Sequence, residues 1–129
     1  MAVRTAEAEW QGNLLEGRGT VKLGSGAFEG RYSFASRMED GPGTNPEELI
    51  GAAHAGCFSM ALSAGLSKAG FNPTRVHTTA RVHFQKVGEG FAITKIELNT
   101  EAQIPGQRRD RHPGFPAFSQ SVDDQQPRF

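Results

Sequence analysis

The sequence contains a single cysteine, Cys57, among its 129 residues. One thiol cannot form a disulfide within the chain, so a disulfide-stapled secreted domain is excluded. A surplus of charge is also lacking, because 14 Lys and Arg residues balance 14 Asp and Glu residues. We therefore expect no nucleic-acid partner, since a duplex is held by many phosphate contacts. The start, MAVRTAEAEW, lacks the apolar run of a secretion signal, which favours a reducing, cytoplasmic location.

Aliphatic residues are scarce in the last 23 residues, 107–129. This segment holds three prolines, four arginines and four glutamines, and Val122 is its only aliphatic residue beyond alanine. Such a composition does not support a packed helix or strand of its own. We therefore predict one domain over 1–106, followed by an atypical, disordered tail over 107–129.

The sequence has two regions with the alternation of polar and apolar residues that is typical of strands. In the first third, glycine-containing turns separate three predicted strands: Arg4–Trp10, Gly19–Leu23 and Ala27–Phe34. A clear strand begins at Arg75, and a return strand follows the turn, from Phe91 to Ile104. Its apolar register changes between Ile93 and Ile96, which indicates a bulge or a strand covered on both faces. Antiparallel pairing is expected in both regions.

One long helix is predicted from Pro46 to Ala69, after a polar stretch, SRMEDGPGTN, that we interpret as a loop. Asn45 is a good N-cap, and Pro46 at the first helical position loses no needed N–H. Two glutamates in the first turn suit the positive end of the helix dipole. Gly70 provides a left-handed C-cap, so both ends of the helix are specified locally.

The predicted helix carries no charge from Leu49 to Ser67 and is apolar or small nearly all round. We expect it to be buried on most sides, at the centre of a homodimer. Gly51, Ala55 and Ser59, at a spacing of four, would suit close helix–helix approach. A membrane span meets the length criterion but is disfavoured, because much of the hydrophobicity comes from alanine and interfacial aromatics are lacking.

Cys57 is the residue most open to chemistry, although a lone cysteine in an apolar helix is more often inert packing. It lies near the middle of the predicted helix, where the dipole does little, so its thiolate needs a cation from elsewhere. Arg37, in the polar stretch, is the nearest candidate in sequence. Glu47, at the start of the helix, is placed to hold that guanidinium, and the alternative is that both charges belong to solvated loop and cap residues.

Other kinds of site are weaker. His54 with Cys57, and His77 with His83, form incomplete metal sites without a CxxC or HxxxH pattern. The sequence lacks the GxSxG elbow of a serine hydrolase. We therefore expect no metal and no bound cofactor, and thiol chemistry remains as the interpretation.

The segment 43–62, GTNPEELIGAAHAGCFSMAL, closely resembles the helix signature of the OsmC/Ohr family, and of its OsmC branch in particular. Shorter blocks on either side agree with the resemblance: AEWQG at 8–12, GRGTV at 17–21, AGF at 69–71 and GFAITKI at 90–96. The resemblance extends over residues 1 to 106.

The resemblance implies an α+β fold in which an antiparallel sheet packs on a long central helix within an intertwined dimer. It implies a thiol peroxidase that reduces organic hydroperoxides in oxidative and osmotic stress defence, with an external thiol as reductant. Cys57 corresponds to the peroxidatic cysteine. Arg37 corresponds to the arginine that stabilises the thiolate, and Glu47 to the glutamate that pairs with this arginine.

The sequence departs from the family pattern after Gly106. Family members carry a second, resolving cysteine in a motif like Gly-Cys-Pro-Val-Ser, whereas this chain has Cys57 alone. We interpret the C-terminal part of the fold as missing or altered, by a frame disruption or a truncation. A second hypothesis follows, in which the chain is a catalytically impaired remnant or a non-enzymatic binding module.

Overall fold

The computed structural model describes residues 2–106 and 118–123. The elements follow in the order β1 Ala6–Gln11, β2 Arg18–Leu23, β3 Glu29–Tyr32, α1 Phe34–Met38, α2 Pro46–Lys68, β4 Arg75–Val87, β5 Gly90–Gln103 and β6 Phe118–Asp123. The chain forms two compact units, the first ending at Leu49 and the second beginning at Ile50. Antiparallel strands and a long helix make this an α+β protein, as the sequence predicts.

The first unit contains an antiparallel sheet in the order β1-β2-β3. Trp10, Gly19 and Tyr32 lie side by side across its three strands. The two aromatic rings lie over Gly19 with their centres 5.4 Å apart. A β-carbon at Gly19 would lie within 2.5 to 2.7 Å of these rings. Glycine is therefore required there, and the three predicted strands are found with ends shifted by a few residues.

Helix α1 occupies part of the stretch that the sequence analysis interprets as a loop. Its N-cap, Ser33, accepts a hydrogen bond from the backbone N–H of Ser36, and the Ser36 hydroxyl oxygen accepts one from the backbone N–H of Ser33. This reciprocal pair forms a capping box with serine at a position usually held by Glu or Gln. The unusual residue explains why the short helix was not predicted.

The ends of α2 agree with the prediction to within one residue. Asn45 accepts a hydrogen bond from the Glu48 backbone N–H at its side-chain oxygen, at 2.7 Å. At the other end Gly70 has a φ of +92°. The backbone N–H groups of Gly70 and Phe71 donate to the carbonyls of Ser67 and Leu66, which forms a Schellman cap.

The second unit contains an antiparallel sheet in the order β4-β5-β6. Along β4 and β5, His83 lies opposite Lys95 and Phe84 opposite Ile93, so Thr94 is the extra residue of a bulge. This confirms the bulge predicted between Ile93 and Ile96. The core of this unit consists of Ile93, Ile96 and Leu98, with Ile50 and Phe58 of α2 packed against it.

The face of α2 that meets the sheet is the one that the sequence analysis assigned to a helix–helix contact. A β-carbon at Gly51 would lie 3.1 Å from a methyl group of Val82. Ser59 donates a hydrogen bond to Thr78 of β4 at 2.7 Å. The small residues Gly51 and Ser59 therefore allow close approach to a sheet, and their assignment to a helix–helix contact is wrong within this chain.

The opposite face of α2, which we call the outer face, is exposed in the single chain. It comprises Ala52, Ala53, Gly56, Cys57, Met60, Ala61, Ala64 and Gly65. The sheet covers only one face of α2 in one copy, so the burial of α2 on most sides, which is expected at the centre of a homodimer, stays a prediction. α2 is also long and apolar enough to cross a membrane, a property that core helices of soluble proteins share.

The segment 107–129, predicted as a disordered tail, contains one strand that the sequence analysis did not predict. Strand β6 pairs with β5, with Phe118 opposite Thr100 and Asp123 opposite Lys95. Its pairing uses backbone hydrogen bonds, which a polar segment provides as well as an apolar one. Residues 107–117 and 124–129 lie outside the described residues.

Candidate active site

Arg37 and Glu47 form a two-pronged ion pair in the first unit. The Arg37 Nε–H donates to Glu47 Oε1 at 3.0 Å, and Nη2–H donates to Oε2 at 2.9 Å. Both side chains are largely withdrawn from water, with exposed fractions of 19% for Arg37 and 8% for Glu47. Such a fork fixes the plane of the guanidinium as well as its position. The predicted pairing of these two residues is therefore observed.

A network of short polar side chains holds the two partners at this spacing. The buried Ser36 hydroxyl donates to the backbone carbonyl of Thr44 at 2.7 Å. The Asn45 side-chain amide donates to the Ser36 carbonyl at 3.2 Å. Arg37 follows Ser36 on α1, and Glu47 lies in the first turn of α2. The network therefore joins the end of α1 to the start of α2 and fixes the distance that the fork bridges.

A second carboxylate lies beside Glu47 but has a different partner. Glu48 accepts a hydrogen bond from the Thr44 hydroxyl at 2.7 Å. The backbone N–H of Thr44 in turn donates to the Arg31 carbonyl at 2.8 Å, which ties the loop to β3. Glu48 is thus engaged by the loop, and the buried Glu47 is the carboxylate that holds Arg37.

Cys57 lies on the outer face of α2 in the second unit, as a free and exposed thiol. Cys57 is therefore not an inert, buried side chain in the single chain, although that is the commoner role of a lone cysteine in an apolar helix. Met60 follows three residues later on the same face and is 78% exposed. Residues three apart on a helix are neighbours, so a thiol and a flexible apolar side chain lie together.

Of the three predicted site residues, the structure brings Arg37 and Glu47 together, whereas Cys57 belongs to the other unit. The supporting roles of Ser36 and Thr44 were not predicted from the sequence. The spacing Ser33-x-x-Ser36 is the signal that could have revealed them, because it is the spacing of a capping box.

Among residues 2–106, His83 lies in a cluster of charged side chains on the second unit. His83 lies next to Glu97 on the outward side of β4 and β5, where Arg81 and Lys95 also approach this carboxylate, at 3.8 and 3.7 Å. The hydrogen bond from His83, followed by the charges of Lys95 and Arg81, lowers the pKa of Glu97. Within 2–106 and 118–123, no three His, Cys, Asp or Glu side chains are grouped closely enough to hold a metal ion.

A cavity of about 300 Å³ lies over the polar side of β1, β2 and β3. It is lined by Glu9, Gln11, Arg18, Gly19, Thr20 and Arg31. These residues belong to the first unit and include none of the predicted site residues.

The chain is thus a small α+β protein with one exposed thiol on a long helix and a guanidinium held in a carboxylate fork. The comparisons with known proteins give the family. Residues 39–112 match the family described as OsmC-like protein. The chain is 54% identical to the Peroxiredoxin OsmC of Escherichia coli (strain K12), over 80% of this chain and 73% of the relative. The chain belongs to the OsmC family.

Solved structures agree on the fold. The organic hydroperoxide resistance protein OsmC of Legionella pneumophila has a TM-score of 0.56 and 24% identity, over 88% of this chain and 80% of its own. An organic hydroperoxide resistance protein of Elizabethkingia anophelis also has a TM-score of 0.56, with 25% identity, over 85% of this chain and 76% of its own. The α+β architecture is therefore that of this family, as the resemblance predicts.

Proposed function

We propose that this chain is a thiol-dependent peroxidase that reduces organic hydroperoxides, with Cys57 as the attacking residue. The observation that carries the proposal is the exposure of the only thiol, on the central helix of a chain 54% identical to a peroxiredoxin. The names of the relatives and structural neighbours support a peroxidase role in defence against hydroperoxides.

The reaction is a displacement at oxygen. The Cys57 thiolate attacks the outer peroxide oxygen, a sulfur–oxygen bond forms and the oxygen–oxygen bond breaks. The sulfur is oxidised to a sulfenic acid, and the peroxide is reduced. Negative charge passes from sulfur to the departing alkoxide, which takes a proton and leaves as the alcohol.

Arg37 is proposed to stabilise the charge at both ends of this step. A guanidinium close to Cys57 favours the thiolate over the thiol and then favours the alkoxide that leaves. Glu47 is proposed to act through Arg37, because its two oxygens fix the plane of the guanidinium. Held in this way, the cation needs no rearrangement when charge moves during the reaction.

Recycling is proposed to need an external thiol and no bound cofactor. Cys57 is the only cysteine of the chain, so the sulfenic acid cannot be resolved by a second thiol in the same molecule. An incoming thiol forms a mixed disulfide with Cys57 and releases water. A second thiol then attacks this disulfide, returns Cys57 to the reduced state and leaves as the oxidised reductant.

We also propose that the working form is a homodimer in the cytoplasm. The outer face of α2 contains no charged residue and is exposed in the single chain. Apolar surface of this kind is stabilised by removal from water, and a second copy offers a surface of the same chemistry.

Coupled consumption of an aryl hydroperoxide and a dithiol tests the proposal. The wild-type chain is expected to consume both in equal amounts, and Cys57→Ser should consume neither above the uncatalysed rate. Equal rates for the two proteins would instead favour the alternative hypothesis, a catalytically impaired remnant or a non-enzymatic binding module. The presence of a single cysteine is the observation that favours this alternative.

A further inference from the structure

A chain of hydroxyl groups lies beneath α2, on the side opposite Cys57. The Ser59 hydroxyl donates to the Thr78 hydroxyl at 2.7 Å, and the hydroxyl oxygens of Thr78 and Thr100 lie 2.8 Å apart. Thr100 donates to the backbone carbonyl of His77 at 3.1 Å and is only 3% exposed. The chain thus links the helix to both long strands of the second unit.

The direction of each of these three hydrogen bonds follows from counting the protons of the hydroxyl groups. A hydroxyl has one proton to donate. Thr100 gives its proton to the His77 carbonyl, so Thr78 must donate to Thr100. Ser59 must then donate to Thr78. The three donations run one way and end on a backbone carbonyl of β4, an arrangement in which each bond polarises the next.

Apolar packing alone leaves the rotation of α2 about its own axis loosely defined. Ile50 and Phe58 contact the core, but apolar contacts have no directional preference. The helix is also apolar on its outer face, so turning it by part of a turn would bring no charged side chain into the core. A hydrogen bond, which weakens steeply with misalignment, fixes such an angle far better.

We infer that Ser59, through its hydrogen bond to Thr78, is a positioning residue that sets the rotation of α2 and thereby holds Cys57 on the outer face. The two residues are two positions apart, which is about 200° around a helix of 3.6 residues per turn. Anchoring Ser59 on the sheet therefore directs the Cys57 thiol away from it. The inference rests on the proposed role of Cys57, because only a reacting thiol needs this orientation.

The test uses Cys57 as the only attachment point for a nitroxide spin label. Electron paramagnetic resonance is recorded on labelled chains diluted with unlabelled chains, so that labels do not contact one another. Wild type should give one spectral component. In Ser59→Ala the loss of one hydrogen bond should raise the population of the rotated helix about fivefold to tenfold, enough to appear as a second, less mobile component beside the first. Ser63→Ala, one turn later on the same side of α2, should resemble wild type.

Two further variants separate orientation from stability. Thr78→Ser keeps the hydroxyl and should give one component, as wild type does. Thr78→Val breaks the hydrogen bond to Ser59 without altering the helix, and it replaces Ser59→Ala as the test variant if that variant does not fold. In Ser59→Ala/Thr78→Val both partners are apolar, so stability should recover while the two components persist. One component in Ser59→Ala and in Thr78→Val, or recovery of one component in the double variant, would overturn the inference.

Peroxide consumption by the same variants distinguishes this inference from the proposed function. If wild type is inactive, the proposed function fails, whereas the spectra still report the orientation of Cys57. If wild type is active, Ser59→Ala should lower kcat/KM by about the fraction of molecules that leave the outward orientation.

Discussion

At the scale of single residues, the proposed site depends on the fork in which Glu47 holds the guanidinium of Arg37. Arg37 and Glu47 were paired on charge and on their positions before and at the helix start, and the structure shows that ion pair. The hydroxyl chain below α2 escaped prediction, because Ser59, Thr78 and Thr100 have no sequence spacing that links a helix to two strands.

Removing the guanidinium should affect both the chemistry and the thiol. Arg37→Ala is expected to lower kcat/KM for an organic hydroperoxide by roughly 10²-fold or more, the usual cost of losing a group that stabilises transition-state charge. It should also slow alkylation of Cys57 by iodoacetamide. The matched control is Arg18→Ala, an exposed arginine of the same unit. Identical alkylation of Arg37→Ala and wild type would assign Arg37 a purely structural role.

Glu47→Gln isolates the orientation of the guanidinium from its charge. The amide keeps the size of the side chain but can accept only one of the two N–H groups that the carboxylate accepts. We expect a smaller loss of kcat/KM than in Arg37→Ala. In Arg37→Ala/Glu47→Gln the loss should match that of Arg37→Ala alone, since Glu47 acts through Arg37. Additive losses would contradict this order of action.

The lowered pKa of Glu97 gives the second unit a predictable acid sensitivity. Its carboxylate is favoured in the folded state by His83, Lys95 and Arg81, so the stabilisation is present above its usual pKa of 4.5 and is lost as pH falls through the lower, folded value. Denaturant unfolding of wild type and Glu97→Gln should therefore converge at low pH. Glu101→Gln, on the same strand, should leave the pH profile parallel to that of wild type.

At the scale of elements, the sequence predicts the features of helices and strands that neighbouring residues determine. Both ends of α2 were predicted because Asn45 and Gly70 act on neighbouring backbone groups. The face of α2 that meets the sheet could not be predicted, because its two faces hardly differ in hydropathy. The contact that selects one face joins Ser59 to Thr78, which lies 19 residues further along the chain. Strand β6 was missed because the edge of β5 supplies its backbone partners.

The C-cap of α2 gives the sharpest test at this scale. Gly70 has a φ of +92°, a region that an L-residue with a β-carbon avoids. Gly70→Ala should lower the free energy of unfolding by about 1 kcal/mol, measured by denaturant titration. Gly70→Asn should lose less, because asparagine tolerates this region. Equal losses for the two variants would show that the cap conformation is not what Gly70 supplies.

At the scale of the whole molecule, the outer face of α2 is the feature that a single copy leaves unexplained. The sequence predicted an apolar helix and the structure shows which residues remain exposed, so the predicted homodimer now has a defined candidate surface. The family, the α+β fold and the peroxidase class were predicted from the segment 43–62 and are confirmed by the comparisons. The catalytic roles of Cys57, Arg37 and Glu47 stay predictions.

A charge on the outer face should separate the copies. Met60→Glu places a carboxylate at the largest exposed side chain of this face, and burying it in an interface would be costly. Light scattering should give a dimer for wild type and a monomer for Met60→Glu. Thr79→Glu, at an exposed position of β4, should remain dimeric. A well-folded wild-type monomer at micromolar concentration would remove the dimer from this account.

The most direct test of a peroxidase centred on Cys57 is mass spectrometry after one equivalent of an organic hydroperoxide. The account predicts the mass of one added oxygen on Cys57, one alcohol released for each sulfenic acid formed, and capture of that acid by dimedone. Since the chain has no second cysteine, excess peroxide without thiol should drive Cys57 on to the sulfinic acid. An unmodified Cys57 thiol after excess peroxide would contradict the account.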